Sequence, residues 1–217
     1  MKNLVLKTTA ITLACAFGLL AIIYGVFALF IPRPLANLFD KMGMYNASIR
    51  YYEKTYNKST DMEDLYTLCL KLDGEKDSVK IERYAKLLVE NVKFIPFSKT
   101  QDIDENGITT EEYVEAKYVR AVYKNKGIDS AISATTVCLS NGYNPSSTEQ
   151  TTCYHEYNPF LMLLTDESID WSAKKGELQK LKDKITAIYT GQNFFVLSEI
   201  EKSFAERDLA IINGILA

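Results

Sequence analysis

The stretch "GMYNASIRYYEKTY", residues 43–56, decides how the chain is read. Ile49, Tyr52 and Tyr56 recur at three- and four-residue intervals, the spacing that puts side chains on one face of an α-helix. The same period runs outward in both directions. Leu35, Leu38, Phe39 and Met42 form one stripe upstream. Leu65, Leu68, Cys69 and Leu72, then Ile81, Tyr84, Leu87 and Leu88, form two more downstream. Strand-like alternation is sustained nowhere, so the predicted fold class is all-α.

The order of residues within 43–56 is more specific than the period. Gly43 stands at a turn, Tyr45 two residues on, small Ser48 next, aromatic Tyr52 four later and small Thr55 after it. Upstream, Leu35, Ala36 and Phe39 complete a first helix. This pattern resembles the tetratricopeptide repeat (TPR), a helical hairpin of about 34 residues. A second copy is fitted by Leu68, Cys69, Leu72, Ile81 and Tyr84. A third is fitted by Ala116, Val119, Tyr123, Gly127, Ala131, Thr135 and Cys138. No copy carries the signature Trp or the closing Pro, and Lys80 occupies a position where a small residue is expected. The resemblance covers residues 33–140, with an insertion at 93–110. It implies an α-solenoid whose curved surface holds a protein partner. Carried over by position, the groove residues are Asn37, Asp40, Glu63, Tyr66, Asp73, Val114, Lys117 and Lys124.

Ahead of this array lies "TTAITLACAFGLLAIIYGVFALFI", residues 8–31, without a charge. About 20 apolar residues cross a bilayer, so the segment is read as one transmembrane helix. A cleaved leader would have a shorter apolar core and a small-residue cleavage motif, and neither is present. The segment "TLAC" ending at Cys15 is no lipoprotein signal, because the residues after it stay apolar. Lys2 and Lys7 in the short basic N-terminus (1–7) place that end in the cytoplasm and the C-terminal domain outside. The partner is then expected to be membrane- or envelope-associated.

A polar loop is expected over 141–158 and helices that cap the array over 159–217. Pro159 opens a short helix; a longer one, capped by Ser172, carries the stripe Leu178, Leu181, Ile185 and Ile188. Phe195, Ile200, Phe204 and Ile211 are the packing candidates of the last segment.

Net charge is −3 with pI near 5.4, which argues against a nucleic-acid partner. Phosphate loops, serine-hydrolase elbows and HExxH are absent from the sequence, so no enzyme, metal or cofactor is called for. Two stretches nonetheless offer chemistry, and they carry the alternative reading of an envelope enzyme or ligand-binding protein. In "CYHEY", Cys153 and His155, the only histidine, stand together, and a Cys138–Cys153 bridge is conceivable in an oxidising compartment. In "DIDENGITTEEY", Asp102, Asp104 and Gly107 open like a calcium loop over 102–112. Its twelfth position is Tyr113, however, while Glu112 arrives one residue early. Thr109 and Glu112 instead read as the capping box of a helix.

Overall fold

The computed structural model describes residues 2–91, 110–141, 154–192 and 196–217. Every regular element among them is helical: α1 (Lys2–Phe30), α2 (Pro32–Lys41), α3 (Tyr45–Ser59), α4 (Met62–Lys71), α5 (Ser78–Val89), α6 (Thr110–Lys126), α7 (Ile128–Asn141), α8 (Pro159–Leu164), a 3₁₀ turn (Ser172–Lys174), α9 (Lys175–Tyr189) and α10 (Glu199–Leu216). The chain divides into two compact units, Met1–Lys71 and Leu72–Ala217. The second copy of the hairpin pattern is thereby split, α4 falling in the first unit and α5 in the second.

In the first unit α1 is long and apolar enough, over Lys7–Phe30, to cross a membrane, and none of that stretch is buried. Backbone angles of −138° and 67° at Ile31 break the helix, and Pro32 at the first helical position starts α2. Helices α2 and α3 form an antiparallel hairpin: Asn37 accepts a hydrogen bond from the Tyr52 hydroxyl at 2.9 Å, while Phe39 stacks on Tyr51 with ring centres 5.5 Å apart. Gly43 makes the turn between them at φ +68°, where a side chain would be strained. The interface is formed by Leu35, Ala36, Ile49 and Tyr52, with small Ser48 and Thr55 also buried. Both hydroxyls bond back to the helix, Ser48 to the Tyr45 carbonyl and Thr55 to the Tyr51 carbonyl, so neither is orphaned.

One predicted stripe divides. Leu35 is buried, but Leu38 is 50% and Met42 60% exposed. Helix α2 has a single neighbouring hairpin partner in α3, which covers its Leu35–Ala36–Phe39 side and leaves the adjoining apolar row open.

In the second unit α6 is the central element, buried over Val114–Ala116, Tyr118–Val119 and Ala121–Tyr123 among α5, α7 and α8. Small Ala116 and Ala121 let the neighbouring helices come close. Gly127, at φ +81°, turns α6 directly into α7. The predicted stripe of α9 is buried throughout, Leu178, Leu181, Ile185 and Ile188 all facing the interior. Two details differ from expectation. Ser172 does not cap α9: Asp170 accepts hydrogen bonds from the Ser172 and Ala173 backbone, starting the 3₁₀ turn that leads into it. In α10 the buried residues are Ala205, Asp208 and Ile212, while Ile200 is exposed; it sits in the first turn, where no other described helix reaches it. Phe195 lies outside the described residues, as do 93–109 of the insertion at 93–110 and 142–153 of the loop at 141–158.

Candidate functional site

The second unit carries a cleft of about 460 Å³ at one side of α6. It is built from three short pieces. The loop before α5 is folded by Asp73, whose carboxylate accepts the Glu75 backbone N–H at 2.8 Å and so presents Glu75 to the cleft. Helix α6 supplies Arg120, and Lys124 one turn further on pairs with Glu75 beside the cleft. The end of α8 supplies Thr165 and Asp166, with Tyr157 and Met162 as walls. Asn158 fixes that helix, accepting the Leu161 N–H at 2.9 Å.

Arg120 is the hub. Its Nε donates to Asp166 and its Nη2 to Glu75 at 2.6 Å; Lys124 bonds the other Glu75 oxygen at 2.6 Å. Asp166 also accepts from the Ser168 backbone at 3.0 Å and hydroxyl at 2.6 Å. Burial pushes the Asp166 carboxyl up, but the bonds from Arg120 and Ser168 outweigh it and hold the group below the usual carboxylate range. With Glu75, Asp166 and Glu167 against Arg120 and Lys124, the cleft keeps an excess of negative charge. Such a lining suits a hydrogen-bonding or cationic side chain of a partner; the cations are already neutralised and make a poor anion site.

A second hollow of about 420 Å³ lies along α5, α6 and α7. Burial pushes the phenol of Tyr118 in its floor up to about 12, so the group stays neutral.

The carried-over groove residues separate into two sets. In the first unit, Asp40 pairs with Lys71 at 2.6 Å and Glu63 with Arg33 at 2.9 Å. These contacts tie the start of α2 to the start of α4 and the end to the end, so α2 and α4 run in the same direction. Asn37 is exposed on α2 and Tyr66 half-buried on α4. In the second unit, Asp73 and Lys124 lie beside the cleft and act on it through Glu75, Asp73 accepting its backbone N–H and Lys124 pairing with its carboxylate. Val114 and Lys117, expected outward, are 1% and 7% exposed; α6 is enclosed on several sides, and a central helix has no outward face at those positions.

The lone histidine stands near one carboxylate, His155 Nδ1 lying 3.6 Å from Glu112. Cys153 and the aspartates at 102 and 104 lie outside the described residues, as does Thr109, so the bridge, the calcium loop and the capping box do too. Among the described residues no group of three His, Cys, Asp or Glu side chains is placed so that it could hold a metal ion.

Sequence reasoning missed a polar centre in the core of the second unit. Asp208 is fully buried, and accepts from the Tyr154 hydroxyl, from Asn158 at 3.2 Å and from Arg207 at 3.0 Å. Its residues are 50 and 54 positions apart along the chain, a separation without a local signature. The box Ser198–Glu201 that starts α10 was readable from spacing alone; Glu201 also accepts the Tyr154 N–H at 3.1 Å.

No family model matches the chain, and no curated protein or solved structure matches it.

Proposed function

We propose that the chain is a membrane-anchored scaffold built from TPR-like helical hairpins, with α1 as a single span and the helices after it binding a protein partner at the membrane surface. The observation that carries this reading is the condition of α1. Lys7–Phe30 offers an uninterrupted apolar surface that the protein does not cover. An open apolar surface of that size is far beyond what a soluble monomer exposes, and a bilayer is the solvent that removes it from water. Helix α1 is also tied to α3, through the Tyr24–Tyr51 hydroxyl pair and Lys58 bonding the Phe30 carbonyl. Those bonds favour a retained anchor over a removed leader.

The hairpin reading is supported by the antiparallel pairs α2–α3 and α6–α7, each turned by a glycine at positive φ, and by the parallel course of α2 and α4. First helices of successive repeats run parallel in such arrays. The acidic cleft around Arg120 is the partner surface in the second unit, and a basic or polar peptide segment is what it suits. Lys2 and Lys7 orient the N-terminus to the cytoplasm.

Alkaline extraction of membranes from cells making the full chain tests the anchor: the protein should stay in the pellet, and release into the supernatant would refute a span. Crosslinked co-purification tests the scaffold. A stoichiometric partner should be recovered and should be lost on Glu75→Lys with Glu167→Lys, while recovery unchanged by that reversal of charge would rule out the cleft. The enzyme alternative is separated from the scaffold by Cys153→Ala with His155→Ala, which should leave partner recovery intact.

A further inference from the structure

Resting on the reading of α1 as a membrane span, we infer that the tip of the α2–α3 hairpin, Met42–Gly43–Met44 with Leu38, is immersed in the bilayer interface beside the span.

Two contacts set the direction of α3. Tyr24 of α1 meets Tyr51, and Phe30 of α1 meets Lys58. Both pairs advance in the same sense, so α3 runs alongside the end of α1 and parallel to it. Helix α2 is antiparallel to α3, and the turn between them therefore points back along α1 toward its N-terminus. Met44 precedes Tyr51 by two helical turns, which places the tip about 10 Å beyond the level of Tyr24 on that side. A hydrocarbon core of about 30 Å takes about 20 residues of helix to cross, and a count from Lys7 ends between Tyr24 and Phe27. The level of the tip thus falls inside the bilayer boundary.

The side chains at the tip fit that place. Met42 is 60% exposed, Leu38 50% and Met44 45%. Pro34, Leu38 and Met42 succeed one another at four-residue intervals, an open apolar row on a helix whose other apolar side is buried. Exposed Lys41 and Arg50 flank the row and can reach the headgroups. Leu29, Phe30 and Ile31, the last residues of the apolar stretch, are exposed too and precede the row directly along the chain. The bilayer is the one occupant that covers both without a further protein surface.

Tryptophan quenching by bromine in the acyl chains of the lipid tests the inference. The full chain is reconstituted in vesicles of phosphatidylcholine and phosphatidylglycerol, with native Trp171 as the baseline. Leu19→Trp, Met42→Trp and Asn57→Trp are compared, Asn57 being exposed near the other end of α3. Leu19→Trp and Met42→Trp should each lose more than half of their added emission in brominated vesicles, and Asn57→Trp should lose none. Quenching of Leu19→Trp without Met42→Trp overturns the inference and leaves the span. Absence of quenching for Leu19→Trp overturns the span and the inference together. Equal quenching of Asn57→Trp and Met42→Trp also overturns it, because the tip would then be no deeper than the far end of α3.

Discussion

Changing Tyr154 to phenylalanine removes one hydroxyl from the interior of the second unit and nothing else. That hydroxyl donates to the Oδ2 atom of Asp208, a carboxylate with no exposed surface. After the change Oδ2 keeps only the Asn158 amide, at 3.2 Å, while Arg207 holds the other oxygen at 3.0 Å. A hydrogen bond to a charged group is worth about 1.5–3 kcal/mol. Asn158 is a long contact and cannot move closer without giving up its bond to the His155 carbonyl at 2.9 Å, so a loss of about 2 kcal/mol is expected. For a domain of this size that corresponds to a fall in Tm of about 4–8 °C. Circular dichroism of the purified chain in detergent, melted by heat and by urea, measures it. The pH dependence gives a separate check. Burial, with the Asp208 carboxylate next to it, pushes the Tyr154 phenol far above its ordinary value. Its contribution is then fully present below the unfolded pKa of about 10 and fades as pH rises above it, because only the unfolded chain gives up the proton. The gap between wild type and Tyr154→Phe should narrow by about 1.4 kcal/mol per pH unit in that range. A variant within about 0.5 kcal/mol of wild type at neutral pH, or a gap that does not change above pH 10, would refute the role assigned to this hydroxyl.

Other changes test other links. Thr60 ends α3 in the left-handed region at φ 55°, costly for a β-branched residue, so Thr60→Gly should stabilise the chain by about 1 kcal/mol in urea melts. The Asp166 carboxyl sits below its usual range, so its stabilisation is present above about pH 4 and is lost as pH falls through the folded value. Acid titration followed by Trp171 emission should show a shallower loss in Asp166→Ala than in wild type. Glu201→Ala opens the box at the start of α10 and orphans the Tyr154 N–H, which should cost about 1–2 kcal/mol by thermal melt. Leu178→Ala empties a fully buried site in α9 and should cost about 2–5 kcal/mol, read from the same melts.

Much of the fold was legible because helical period is a local property. The stripe on α9 and the run Leu65, Leu68, Cys69 and Leu72 are buried as their spacing predicts. Gly43 and Gly127 were placed at turns, and both adopt positive φ. The cleft was less legible. Lys124 and Asp73 stood among the carried-over positions, but Arg120, Glu75 and Asp166 did not, since the pairs they make join residues 45 and 46 apart. Lys117 and Val114 were assigned outward because a repeat pattern numbers positions along one helix and says nothing of how many neighbours that helix has. The Ser172 cap failed for a local reason: Asp170, two residues earlier, accepts the Ser172 and Ala173 backbone N–H groups, so a 3₁₀ turn begins at Ser172 itself and the residue lies inside the helical stretch instead of at its cap.

The sequence by itself determined the helical class seen throughout the described residues, the apolar side of several helices, and an apolar segment of membrane length over residues 8–31. Those properties arise from neighbours three and four residues apart and from uninterrupted hydropathy. Only the tertiary structure decided which apolar side of α2 is covered, that α6 has no free face at Val114 and Lys117, and that Tyr154, Asn158 and Arg207 surround a buried Asp208. Period fixes the side of a helix that avoids water. What lies against that side depends on segments distant in sequence, which carry no record of their contact in the local pattern.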